Sequence, residues 1–352
     1  MHGVFFWEAA GLSLDRANPY GGLLARALAS VGVELSAGHP HEFTEEWLHQ
    51  NQGQIDILHL NWPHHLYDAP DLAERVIRCA EVIDNLTLAR TLGYKIVWTV
   101  HNLYPHDSEN RELDHLARLA ITQLATAVIV HCPHARTLVQ QHFYRTDSVF
   151  VIPHGHFIDP YPNTISRTVA RRQLGIPDDR FVFCSFGNVR PYKGWEALVE
   201  AFSTLSDEHL CLLLAAKVYS DYGEKFVEKA RQADPRIVVS PSNFFANEEF
   251  QRYFNAADVA VFPFVDVLTS GSVITALSFG VPIIVPTVGC LSELVDEHVG
   301  ILYDQDHPHA LMDAMIEIQQ QDLPALREAA YRRAQSLDWA KIAQKTVRAY
   351  QH

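Results

Sequence analysis

Apolar runs that are hydrophobic throughout, rather than alternating with polar residues, recur along the chain between longer amphipathic stretches. Such runs are the signature of parallel strands covered on both faces. In the first half, GVFFW, DILHL, KIVWTV, AVIVH and SVFVIP read as strands. Helices are predicted over residues 19–31, 71–92 and 110–124, with Asn18 as N-cap and Pro19 at the first helical position of the first one. A second series follows the polar stretch 159–172. FVFCSFG, CLLLAA, IVVSP and VAVFPF read as strands, with helices predicted over 195–205, 222–233 and 248–256. The alternation predicts an α/β fold of two Rossmann-like domains facing across a cleft, with a linker near residues 158–172. Ligands of such folds sit outside the carboxyl ends of the strands, so that cleft is the expected site. The final segment, LDWAKIAQKTVRAYQH, has Asp338 as N-cap and an apolar face at Trp339, Ile342, Val347 and Tyr350. It could cap the second domain or cross to the first.

Composition narrows the classes. The 352 residues exceed what one core usually supports, and 48% are hydrophobic. A formal net charge of -14 argues against nucleic acid, which needs clustered Lys and Arg, and against a polybasic membrane dock. The cysteines, Cys79, Cys132, Cys184, Cys211 and Cys290, are scattered and free of CxxC spacing. They read as reduced core thiols, which implies a cytoplasmic compartment and no structural zinc. The beginning MHGVFFWEAAG has no charged leader before a long apolar segment, and no run approaches a membrane span. The expectation is a soluble protein, or at most one held at a membrane surface.

Residues 261–293 predict a buried strand, a loop of small hydroxyl residues, a helix and a second buried strand. Thr269, Ser270, Gly271 and Ser272 would stand at the helix N-terminus, where unpaired N–H groups and the helix dipole suit a phosphate. A merely well-capped helix fits the same letters. GNVRPYKG (187–194) follows a strand and precedes a helix, placing Arg190 and Lys193 where they could neutralise a diphosphate. A solvated basic turn is the plainer alternative, but Pro191 and the two glycines, which fix the backbone, favour the site.

Fifteen of the twenty histidines fall in residues 1–165, several at strand ends: His59, His101, His106, His131, His154 and His156. No HExxH pair or tight metal spacing accompanies them, so metal ligands rank below acid/base groups and hydrogen-bonding or packing residues; packing is the favoured role for any single histidine, and a polar sugar-binding wall fits the group. HNLYPHDS also carries Asp107, which suits a general base just past a strand end. Taken alone, the favoured role is a cap, from Asp107 or Ser108, for the helix beginning near residue 110.

Taken in order, NPY (18–20), DILHLNWP (56–63), TVHNLYPHD (99–107), IPHGHF (152–157), GNVRPYKG, FPF and SGSVITALSFGVPII resemble the GT-B glycosyltransferases of bacterial exopolysaccharide synthesis. The nearest branch is that of the xanthan-type GDP-mannose:glycolipid β-1,4-mannosyltransferases, and the likeness extends to the retaining family 4 enzymes. The resemblance implies an acceptor-binding domain at 1–165, a donor-binding domain at 166–337 and a C-terminal helix at 338–352 that crosses back. It matches Lys193 to the diphosphate-binding lysine. Two departures stand out. Val267 and Thr275 occupy the positions of the family 4 Glu-x7-Glu pair, and Asn188 replaces the usual arginine, leaving Arg190 to supply that charge. The xanthan-type enzymes share the loss of the glutamates and invert, which favours direct displacement.

The resulting expectation is hexosyl transfer from a nucleotide-sugar, GDP-mannose favoured, to a saccharide or lipid-linked acceptor. No metal and no cofactor beyond the nucleotide-sugar co-substrate is expected. Arg190, Lys193, Thr269, Ser270, Gly271 and Ser272 would hold the diphosphate, with Asn18, Gly21 and Gly22 beneath the donor because a glycine turn admits close approach. Asp107 leads as base, with His106, His101 and Glu8 behind it. The enzyme would work in the cytoplasm, free or at the inner face of the cell membrane. A retaining transferase, a sugar-nucleotide epimerase or hydrolase, and a non-catalytic sugar-binding subunit are the alternatives.

Overall fold

A computed structural model of the chain describes residues 1–6, 12–15, 18–106 and 108–352. Its named strands all pair in parallel and divide into two sheets of six. The first contains β1 (His2–Phe6), β2 (Glu34–Gly38), β3 (Ile57–Leu60), β4 (Lys95–Val100), β5 (Ala127–Val130) and β6 (Val149–Val151), in the order β2-β1-β3-β4-β5-β6. Between them run α1 (Tyr20–Ala29), α2 (Glu45–Asn51), α3 (Leu72–Thr91), α4 (Arg111–Leu124) and α5 (Pro133–Phe143). After α6 (Arg167–Leu174), the second sheet contains β7 (Phe181–Asn188), β8 (Leu210–Lys217), β9 (Ile237–Ser242), β10 (Val259–Val261), β11 (Ile283–Pro286) and β12 (Gly300–Tyr303). Its order is β12-β11-β10-β7-β8-β9. The accompanying helices are α7 (Trp195–Ser203), α8 (Asp221–Ala233), α9 (Asn247–Ala256), α10 (Gly271–Ser278), α11 (Leu291–Leu294), α12 (Ala310–Glu317), α13 (Leu323–Ser336) and α14 (Trp339–Gln351).

The continuous apolar runs are buried as their pattern requires. β8 is buried at every position except Lys217, and β10 and β11 throughout. Residues with less apolar signal still form elements. The edge strand β2, ELSAG, buries only Leu35 and Gly38, so its pattern does not announce a strand. α5 opens with Pro133, and its N-cap is Cys132, whose Sγ accepts from Ala135 N. That cap is not one a sequence reading looks for.

The chain divides into two compact units, Met1–Gly155 with Asp338–His352, and His156–Leu337. The boundary expected at residue 165 therefore moves to 155. Residues 156–165 are tied into the second unit by their own hydrogen bonds: Phe157 N donates to Ser278 Oγ (3.0 Å), and Thr164 N and Ile165 N to Gln251 Oε1. Tyr161 stacks on Phe250 at 4.2 Å between ring centroids. Part of the expected linker is α6.

The C-terminal helix α14 belongs to the first unit. Asp338 caps it, accepting from Lys341 N, and Trp339, Ile342, Ala343, Thr346, Ala349 and Tyr350 are buried. The Trp339 indole lies on Gly155, where a Cβ would come within 2.2 Å of the ring. Only glycine leaves room for that seat.

One expectation about capping changes. α4 has Asn110 at its cap position, and Ser108 instead donates to Asp114, a carboxylate buried in the helix's first turn. Cys79, Cys184 and Cys211 are free and buried.

Candidate active site

In the second sheet the strand order reverses between β7 and β10, which pair directly through Val259 with Phe183 and Ala260 with Cys184. A reversal of this kind opens a crevice at the carboxyl ends of the two strands. The loops leaving those ends are the two motifs with phosphate chemistry, GNVRPYKG and the FPF to SGS segment.

Those loops are knitted together. Val265 N donates to Tyr192 O (2.9 Å). Gly194, at φ +66°, brings its backbone so close to Pro263 that a Cβ would lie 1.9 Å from the Pro263 carbonyl oxygen. The turn Pro191–Lys193 therefore presses Lys193 inward. Lys193 is 8% exposed, with Nζ 4.6 Å from the Phe264 ring centroid and 5.5 Å from that of Tyr192. Desolvation lowers its pKa to about 8, and no carboxylate among the described residues offsets the effect.

Gly187, at φ +134°, forms the floor between the two loops. A Cβ built there would stand 3.3 Å from Ser272 Oγ and 3.8 Å from Lys193 Nζ. An ammonium, a hydroxyl and the first turn of α10 thus converge on one bare stretch of backbone. Ser270 does cap α10, accepting from Val273 N at 3.3 Å, so its hydroxyl serves the helix. Thr269, Gly271 and Ser272 beside it are half-buried, as are Asn188 and Arg190 on the other loop. Val267 and Thr275 are buried, and Thr275 Oγ1 donates back to Gly271 O. Neither position offers a carboxylate.

The histidines of the first unit gather at the carboxyl ends of its strands. His59, His101, His131 and His154 are all buried, and burial pushes each imidazole below its ordinary range: His59 and His154 to about 3, His131 to about 4, His101 well down. His59 joins Tyr350 OH (2.6 Å) and Thr99 Oγ1 (2.7 Å). His101 contacts Asn61 Oδ1 (2.9 Å) and His131 (3.2 Å), and stacks on Trp62 at 4.3 Å. Tyr20 meets His101 edge-on at 4.7 Å. Trp62, Asn61, Thr99 and Tyr20 were not picked out by sequence reasoning; a polar or aromatic residue just past a buried strand is the only signal they carry.

His106 lies exposed in a turn, apart from the buried row. Asp107 and Glu8 fall outside the described residues. Asn18 Oδ1 accepts from Tyr20 N, but α1 starts at Tyr20, so the N-cap position falls on Pro19 and not on Asn18 as expected. Gly21 and Gly22 are buried within α1 rather than in a turn, and a Cβ on Gly22 would meet Leu12 O and Leu14 Cδ2 at 2.7 Å. Close packing of the 12–14 segment already accounts for Gly22. Among the described residues there is no group of three or more His, Cys, Asp or Glu able to hold a metal ion. No helix among them is long and apolar enough to cross a membrane.

Residues 180–321, which contain both loops of the second unit, match the family model for glycosyl transferases group 1. Over 310 residues, 84% of this chain and 80% of the relative, the sequence is 28% identical to the GDP-mannose:glycolipid 4-beta-D-mannosyltransferase of Xanthomonas campestris pv. campestris. The chain is a glycosyltransferase. Its fold is GT-B: the enzyme superposes on sucrose-phosphate synthase from Thermosynechococcus elongatus with a TM-score of 0.77 at 20% identity, covering 100% of this chain and 98% of the other. It also superposes on Anabaena HepE in complex with UDP, with a TM-score of 0.71 at 18% identity and 99% of each chain covered.

Proposed function

We propose that the enzyme transfers a hexose, with mannose from GDP-mannose favoured, to a saccharide or lipid-linked saccharide acceptor with inversion at the anomeric carbon. The observation that carries this reading is the convergence of Lys193 Nζ and Ser272 Oγ over Gly187 at the start of α10. A leaving diphosphate needs positive charge and N–H donors already in place, because a preorganised site loses nothing to reorganisation as charge develops. Lys193, held in a desolvated pocket, gains most from such a ligand. Arg190 and the N–H groups of Gly271 and Ser272 share the diphosphate in this reading, and no divalent cation is assigned a step.

Inversion is favoured by Val267 and Thr275 at the two positions where family 4 enzymes carry glutamates. The acceptor hydroxyl loses its proton to Asp107, assigned from its motif alone, and its oxygen forms the new bond to C1 as the bond to the diphosphate breaks. The mannosyltransferase relative supports both the mannosyl donor and a glycolipid acceptor. HepE in complex with UDP keeps a uridine donor in the test.

A thermal-shift panel of GDP, UDP, ADP and their sugars decides the donor, since a ligand of the folded state raises its apparent stability. GDP and GDP-mannose are expected to give the largest shifts. A larger shift with UDP-sugars overturns the mannosyl assignment, and no shift with any nucleotide overturns the donor site.

A further inference from the structure

In the first unit, the Ile152 carbonyl, His131, His101 and Asn61 form a single row of contacts. His131 Nδ1 lies 2.9 Å from Ile152 O, His131 Nε2 lies 3.2 Å from His101 Nδ1, and His101 Nε2 lies 2.9 Å from Asn61 Oδ1. A carbonyl oxygen only accepts, so His131 Nδ1 carries a hydrogen. In a neutral imidazole the other nitrogen is then a bare acceptor. His131 Nε2 must therefore receive a hydrogen from His101 Nδ1, which leaves His101 Nε2 bare in turn. Facing that lone pair is the oxygen of Asn61, while Asn61 Nδ2 is buried without a partner. Turning the carboxamide over lets its nitrogen donate to that lone pair, since its oxygen and nitrogen are nearly isosteric and their assignment follows from the hydrogen-bond network.

We infer that His131 is a positioning residue that holds His101 as the neutral Nδ1–H tautomer, with His101 Nε2 an acceptor facing the amide nitrogen of Asn61. A competing arrangement of this row puts a proton on His131 and leaves the Asn61 carboxamide unturned. It requires a cation inside a row of buried imidazoles. Desolvation opposes it at both rings, and His131, His154 and His59 all act against charge on His101. Packing holds the ring in place, with Trp62 stacked at 9° between planes and Tyr20 at 90°.

The consequence for chemistry rests on the transferase reading. His101 offers a lone pair to a substrate hydroxyl, displacing the Asn61 amide, and does not offer an N–H to a phosphate oxygen. The tautomer itself is independent of that reading and is measured without substrate.

Long-range 1H–15N correlation on protein labelled at histidine, at pH 7.5, reads the tautomer of each ring. His101 and His131 are both expected as neutral Nδ1–H forms. An Nε2–H His101, or a cationic form of either ring, overturns the inference. His131→Leu should mix the His101 tautomers and lower kcat about five- to tenfold, the rate equivalent of one hydrogen bond, with the donor KM unchanged. His131→Gln places an amide oxygen near the former Nε2 and should restore most of that rate. A folded Leu variant with wild-type spectrum and kcat, or a Gln variant no better than Leu, removes the positioning role. Should His131→Leu fail to fold, Asn61→Asp is decisive: an oxygen that cannot turn into a donor should move the His101 proton to Nε2, and an unchanged spectrum sinks the proposal.

Discussion

Burial between two aromatic rings makes Lys193 chemically unusual, because an ammonium held there is poorly solvated until an anion arrives. Two predictions belong to this residue. Lys193→Ala should leave the circular dichroism spectrum intact but lower kcat/KM by the equivalent of roughly 2–4 kcal/mol, and Arg190→Ala should act in the same direction. Turnover within a few-fold of wild type in both variants would dismiss the donor site. In the free enzyme Lys193 is charged below about 8 and neutral above it. The thermal shift produced by a nucleoside diphosphate should therefore be full at pH 7 and shrink by pH 9.5; a shift independent of pH across that range speaks against Lys193 as the anion's partner. Asp107 carries the third prediction. Asp107→Asn should keep donor binding and lower transfer by roughly 10²–10⁴-fold if it is the base. A helix cap would tolerate the change, because Asn caps about as well as Asp.

At the level of elements, α14 is held by specific contacts as well as by its apolar face. Tyr350 OH meets buried His59 Nδ1, and His59 Nε2 meets Thr99, so one imidazole links the last helix to β3 and β4. Tyr350→Phe would leave a buried ring nitrogen without its partner, at a cost of roughly 1–3 kcal/mol. Urea unfolding followed by tryptophan fluorescence measures it, and an unchanged midpoint would mean that apolar packing alone seats the helix. Loops behave differently from α14. The β7 and β10 loops are pinned by backbone proximity, through Gly194 against Pro263, so any side chain at 194 must push them apart.

For the whole molecule, the buried imidazoles set an acid limit. His59, His131 and His154 remain neutral in the folded protein down to about 3, 4 and 3, whereas in an unfolded chain they protonate near 6.5. Below that value the unfolded state binds more protons, so stability is complete above about pH 6.5 and declines as the pH falls toward 4. The slope approaches about 1.4 kcal/mol per pH unit for each ring. Urea midpoints at pH 7.5 and pH 5 should differ accordingly, and equal midpoints would show that the rings protonate within the fold. Turnover should also survive excess EDTA, because Lys193, Arg190 and the α10 N-terminus carry the diphosphate charge in the proposed mechanism. An absolute Mg²⁺ or Mn²⁺ requirement would overturn that mechanism.

Local features are readable from the letters alone. Continuous apolar runs specify parallel strands, Asp338 marks the start of α14, and the Gly-rich basic loop and the hydroxyl-rich helix start stand out by residue type and spacing. Each depends on neighbours within a few residues, where backbone propensity and capping operate. Tertiary structure decides what depends on distant partners. Gln251 and Ser278 draw residues 156–165 into the second unit, Gly22 makes room for Leu12 and Leu14, and Gly187 becomes the floor shared by Lys193 and Ser272. His59 and Tyr350 are 291 positions apart in the chain, and His101 and His131 are 30 apart. Hydrophobic periodicity says which face of an element is buried, but not which polar group will be waiting there, because hydrogen-bond partners are chosen by the packing of whole elements.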